Sequence, residues 1–253
     1  MNNARLVWVL SALLMLAGCA GTGGGFVGQG GPKNKEAAKL QVQMAQEYLK
    51  KGSLDVARDK LVRALELDPY SADAHTVSGL LNDTIGDLVQ AELHFKRAVE
   101  LQPKDGGMNN NYASFLCRQG RYAEADAIFQ RAIADPYYKT PEVALANAGV
   151  CAEQAQQLDQ AESYLRRALE RNPNYAGALA PMASVLHARG DHLRARAFVQ
   201  RYDASQTPTP AMLLLGMEVE LALGDQRSAE DYKRRLLSAF PRSQEAQSLE
   251  ARD

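Results

Sequence analysis

Three cysteines, Cys19, Cys117 and Cys151, and four histidines, His75, His94, His187 and His192, are the residues best able to carry chemistry in this chain. A mononuclear metal site needs imidazoles or thiolates at ligand spacing, as in an HExxH helix, and no such segment occurs. His187 and His192 sit across a helix–helix turn rather than on one helical face. Nucleophilic catalysis has no GxSxG elbow to use, and phosphate binding has no GxxxxGK[ST] loop. Gly23-Gly24-Gly25 follows no strand, so it cannot form a phosphate cradle. Glu66, Glu100 and Glu170 recur at a regular spacing, which marks solvated helix faces rather than a converging acid–base pair. The expectation is a protein with no catalytic residue, no metal and no cofactor beyond any covalent lipid.

Composition narrows the classes further. Of the 253 residues 46% are apolar and only 7% aromatic, a balance rich in alanine and leucine that favours helices over a β-sandwich. The 29 Lys and Arg against 30 Asp and Glu give a net charge of -1. With no long basic run, this excludes the counterion-driven binding that nucleic acid requires.

Cys19 has a specific context. Arg5 precedes an apolar stretch from Leu6 to Leu16, broken only by Ser11 and shorter than the roughly 20 residues that span a bilayer. Leu16-Ala17-Gly18-Cys19 resembles the lipobox of bacterial lipoproteins. That resemblance implies removal of residues 1–18, acylation of Cys19 and handling by the lipoprotein sorting machinery. Ala20, rather than an aspartate, follows the cysteine, which by the same analogy implies the periplasmic face of an outer membrane. Several acyl chains hold firmly where one is marginal. Residues 20–32, AGTGGGFVGQGGP, contain seven glycines and read as a tether from the lipidated cysteine, with a random-coil span of roughly 20 Å.

Beyond the tether the sequence repeats. Gly52, Gly86 and Gly120 are spaced by 34 residues, as are Gly190 and Gly224. Pro69, Pro103, Pro173 and Pro241 follow the same period with one two-residue insertion. Small residues recur at Ala57, Ala91, Ala125, Ala161, Ala195 and Ala229. A 34-residue unit of this kind resembles the tetratricopeptide repeat (TPR), a pair of antiparallel helices that buries its apolar face only by stacking on its neighbours. The fold implied is all-α, a right-handed superhelix of six helix–turn–helix units at 38–71, 72–105, 106–139, 142–175, 176–209 and 210–243. Residues 244–253 form a polar capping tail.

Within each unit the eighth place is small (Ala45, Gly79, Ala113, Gly149, Ala183), which lets the two helices of the unit approach closely, and a larger residue sixteen positions on (Leu61, Phe95, Phe129, Leu165, Val199) fills the layer between units. Two units depart. The fourth has Gln156 at the glycine place, and the sixth has Met217 at the small place and Lys233 at the large one.

TPR arrays bind partners in the groove lined by their first helices, at the second, fifth, ninth, twelfth and thirteenth places. Here these include Val42, Gln46 and Leu49 in the first unit and Leu80 and Thr84 in the second. The Lys and Asn of a chaperone-type carboxylate clamp are replaced by Val42 and Gln46, which disfavours that mode. Val42, Leu49 and Leu80 either receive an apolar ligand or brace neighbouring helices. Cys117 and Cys151 fall near the ends of first helices in units three and four. They either form a bridge, if their Cα atoms come within about 7 Å, or stay as two separately buried thiols.

The stretches NNYASFLCRQGRY at 110–122 and DPYYKTPEVALANAGVC at 135–151 are more specific than a generic repeat dictates. Together with the lipobox, tether, six units and cysteine pair, they resemble the PilF/PilW family of type IV pilus biogenesis lipoproteins. The resemblance covers essentially the whole chain. It implies a pilotin: a protein that binds the pilus secretin and supports its outer-membrane localisation and multimerisation. Other functions of outer-membrane TPR lipoproteins are scaffolding of peptidoglycan hydrolases and assembly of β-barrel proteins.

Overall fold

A computed structural model describes residues 32–250. Residues 1–31, with the lipobox cysteine and the tether, lie outside the described residues, as do 251–253. Six helix pairs follow one another: α1 (Pro32–Lys50) with α2 (Leu54–Leu67), α3 (Ala72–Ile85) with α4 (Leu88–Leu101), and α5 (Gly106–Arg118) with α6 (Tyr122–Ala134). Then come α7 (Pro141–Gln154) with α8 (Leu158–Arg171), α9 (Ala176–Ala188) with α10 (His192–Ser205), and α11 (Pro210–Ala222) with α12 (Gln226–Ala239). A seven-residue α13 (Gln244–Glu250) packs on α11 and α12. The chain is all-α, built of six TPR units.

Local chemistry sets the helix boundaries. Side-chain oxygens of Ser71, Asp87, Asp105, Asp191, Thr209 and Asp225 accept hydrogen bonds from the first-turn N–H groups of the helices they precede. The turn inside each pair needs one left-handed residue. Five are the periodic glycines, with φ between 73° and 83°; the sixth is Gln156, the only non-glycine at positive φ among the described residues, with φ 61°. The departure in sequence is therefore not a departure in backbone, and the fourth unit holds a strained side-chain-bearing residue there. Gln156 is exposed. Gln156→Gly is expected to raise stability by about 0.5–1 kcal/mol, the relief of strain outweighing the entropy glycine adds to the unfolded chain. Thermal unfolding would measure it, and a lowered midpoint would contradict the assignment.

Packing inside the units rests on the small–large pairs. A Cβ placed on Gly79 would lie 2.8 Å from the Phe95 ring, and one on Gly149 would lie 2.6 Å from Leu165. Only hydrogen at those positions lets the two helices of a unit approach so closely. The sixth unit corrects the reading from sequence. Its small–large contact is Gly216 on Tyr232, where an added Cβ would lie 2.7 Å from the ring. The pair keeps the sixteen-residue separation but sits one residue earlier than Met217 and Lys233. Ala229 stays buried, so α12 keeps its register while the contact shifts along it.

First helices touch the first helices of the next unit, α1 on α3, α3 on α5, α5 on α7, α7 on α9 and α9 on α11. Second helices pack their backbones closely only on the first helices beside them and reach one another through long side chains, as where Tyr164 of α8 donates to Asp126 of α6 at 2.6 Å and Arg194 of α10 to Glu162 of α8 at 2.7 Å. The first helices are therefore the close-packed inner layer, and the groove is theirs.

Candidate partner-binding groove

The groove residues expected in the first two units do not share one environment. Gln46 and Thr84 are exposed, and the Thr84 hydroxyl donates to the Leu80 carbonyl at 2.8 Å. Leu49 and Leu80 are half-buried, Leu49 against the small core of units one and two and Leu80 against the main core. Val42 is not a groove residue. It is 3% exposed and packs in the core with Ala45, Leu61, Ala74 and Val77. The fifth place faces the seam between adjacent first helices, which explains why its counterparts Thr76, Asn110 and Ala146 are buried too. Thr76, in that seam, satisfies its hydroxyl by donating to the Ala72 carbonyl at 2.9 Å.

Polar and covalent links join successive first helices. Asp83 of α3 pairs with Arg118 of α5. Asn147 of α7 donates to Asn110 of α5 at 3.0 Å, and Ser184 of α9 donates to Glu153 of α7 at 2.6 Å. Between the Asn pair and the Ser–Glu bond, Cys117 and Cys151 are joined as a disulfide, with Cα atoms 5.7 Å apart. Both cysteines are buried. The middle of the inner layer is thus cross-linked, whereas the candidate residues of units one and two lie outside that block. The Asn147–Asn110 bond had no signal in the repeat pattern, because the two residues occupy different places in their units.

The histidines form two ring-to-ring pairs, His75 with His94 at 3.0 Å and His187 with His192 at 3.2 Å. Burial pushes His75 below the ordinary imidazole value, with Arg97 adding to the effect, and burial and then His75 do the same at His94. These pairs fasten the two helices of units two and five. Among the described residues no three His, Cys, Asp or Glu side chains converge as a metal site would. No described helix is long and apolar enough to cross a membrane.

Tetratricopeptide-repeat family models match residues 42–106, 86–139 and 116–176, and a further one matches 152–215. The type IV pilus assembly protein PilF of Pseudomonas aeruginosa is 28% identical over 249 residues, 98% of each chain. A crystal structure of PilW, a widely conserved type IV pilus biogenesis factor, superposes with a TM-score of 0.79 at 31% identity, covering 84% of this chain and 97% of that one. The chain belongs to the PilF/PilW family of type IV pilus biogenesis TPR proteins. A structure of P. aeruginosa PilF gives a TM-score of 0.77 at 28% identity over 87% of this chain and 100% of that one.

Proposed function

We propose that this family member is an outer-membrane lipoprotein, anchored through Cys19, that binds the pilus secretin as a pilotin and promotes its localisation and multimerisation. The observation that carries the reading is similarity to a type IV pilus assembly protein along 98% of both chains, not over the repeats alone. The lipobox and glycine tether supply a reason for the arrangement: they hold the array beside the membrane that the secretin enters. No active site is needed, since a pilotin works by differential binding to subunits and their assembled form.

The unit-one and unit-two groove is the proposed contact, through exposed Gln46 and Thr84 together with half-buried Leu49 and Leu80. A short amphipathic segment fits such a surface, its apolar side chains meeting the leucines and its polar groups the amide and hydroxyl. Leu49 and Leu80 also pack on the cores, so changing them would confuse binding with folding. Gln46→Arg combined with Thr84→Arg is the cleaner probe. It should leave helical content unchanged and reduce secretin co-purification about tenfold, corresponding to about 1.4 kcal/mol. Undiminished co-purification by the double variant would place the contact elsewhere.

A further inference from the structure

The stretch 135–151 is among the most distinctive in the sequence, yet its first residues lie outside the first-helix groove. Pro136 and Tyr137 lie in the turn between α6 and α7, where the two-residue insertion interrupts the 34-residue period. Tyr137 is 88% exposed, the most exposed large apolar or aromatic side chain among the described residues. With Pro103, Lys104, Arg131, Ala134 and Pro136 it lines a notch of about 490 Å³. That volume is in the range of sites that seat a ligand group.

The notch is rigidly built. One oxygen of Asp135 accepts from the Tyr137 N–H at 2.9 Å, and the other accepts from the Gly106 N–H at 2.9 Å. One carboxylate therefore ties together the turn before α5 and the turn before α7. Tyr138 closes the inner side against Gly106, where an added Cβ would lie 2.6 Å from the ring. An aromatic side chain held on such a turn loses little entropy when it makes a contact.

Its charges differ from those of the two preceding units. At the equivalent places Arg63 pairs with Glu66 at 2.8 Å, and Arg97 pairs with Glu100 at 3.0 Å. Arg97 also lies 5.8 Å from the centre of the Tyr70 ring. In the third unit the glutamate is replaced by Ala134, and the Arg131 side chain has no hydrogen-bond or ion-pair partner among the described residues. The same holds for Lys104. The one carboxylate lining the notch, Asp135, is already engaged by two N–H groups. What remains is an apolar floor of two prolines, an alanine and a tyrosine, rimmed by two uncommitted cations.

We propose that this notch is a second docking site, separate from the groove, for an acidic segment of a partner protein that places an apolar side chain beside a carboxylate. The apolar group would lie against Pro103, Pro136 and Tyr137, and the carboxylate would meet Arg131 and Lys104. Arg131 suits the role because its planar fork recognises a carboxylate through two donors. The proposal does not depend on what occupies the groove.

The test uses the full-length chain and two rhodamine-labelled peptides, Asp-Asp-Leu-Pro-Asp-Asp and its counterpart with lysine in place of each aspartate. Fluorescence anisotropy should show saturable binding of the acidic peptide alone, weakened several-fold by raised salt. Arg131→Glu and Tyr137→Ser should each weaken it at least tenfold with circular dichroism unchanged, while Gln46→Arg with Thr84→Arg leaves it intact. Equal binding of both peptides, no binding of either, or binding indifferent to Arg131 and Tyr137 would overturn the proposal. So would self-association of the chain abolished by the same two substitutions, which would make a second copy the occupant.

Discussion

Phe95→Ala is expected to cost about 3–5 kcal/mol of stability, the range for removing a fully buried phenylalanine from a core that can collapse only in part. The ring is 1% exposed and sits over Gly79. Across the seam to the third unit it meets Phe115, at 5.3 Å between ring centres, and Tyr112, at 6.3 Å. Loss of the ring thus loosens a unit and its junction together, and in a repeat array junctions carry much of the stability. The companion change separates cause from coincidence. Gly79→Ala alone should destabilise by about 1–3 kcal/mol, since its Cβ would collide with the ring. In the Phe95→Ala background that penalty should vanish. Urea denaturation of the four variants measures the coupling; independent, additive effects would contradict the close-approach account.

Removing the disulfide should be nearly as costly. Cys117 and Cys151 are 34 residues apart, and closing a loop of that length is worth about 3–4 kcal/mol in the chain-entropy model. The bond spans α5 and α7, so its loss should also lower the barrier to parting units three and four. Cys117→Ala with Cys151→Ala should lower the denaturation midpoint, and a thiol reductant should lower the unmodified protein to the same value without affecting the variant. Equal midpoints for oxidised and reduced protein would show that the bridge carries no stability.

Repeat spacing made the helix pairs legible because glycine, alanine and proline each answer a backbone or packing requirement that recurs every 34 residues. It was less informative where a neighbour's identity decides the outcome. Val42 looked like a groove residue by its place in the unit, but the fifth place turns towards the next first helix and is buried there. In the sixth unit Met217 and Lys233 occupy the expected places, while Gly216 and Tyr232 one step earlier make the contact. A sixteen-residue small–large search would have found that pair; a fixed frame could not. Gln156 shows the opposite limit, since the turn imposes its left-handed backbone on a residue that disfavours it. Among the site residues, the cysteines could be placed at adjacent helix ends from the period alone. The uncommitted state of Arg131 became visible only beside the Arg–Glu pairs of units one and two.

The proposal of a pilotin is tested most directly by secretin assembly in cells lacking this chain. Outer membranes of a deletion strain should contain few heat-resistant secretin multimers on denaturing gels, and expression of the unmodified chain should restore them. Cys19→Ser should restore them poorly, with secretin subunits displaced from the outer membrane although the repeat array still folds. Undiminished multimers in the outer membrane of the deletion strain would contradict the pilotin role outright.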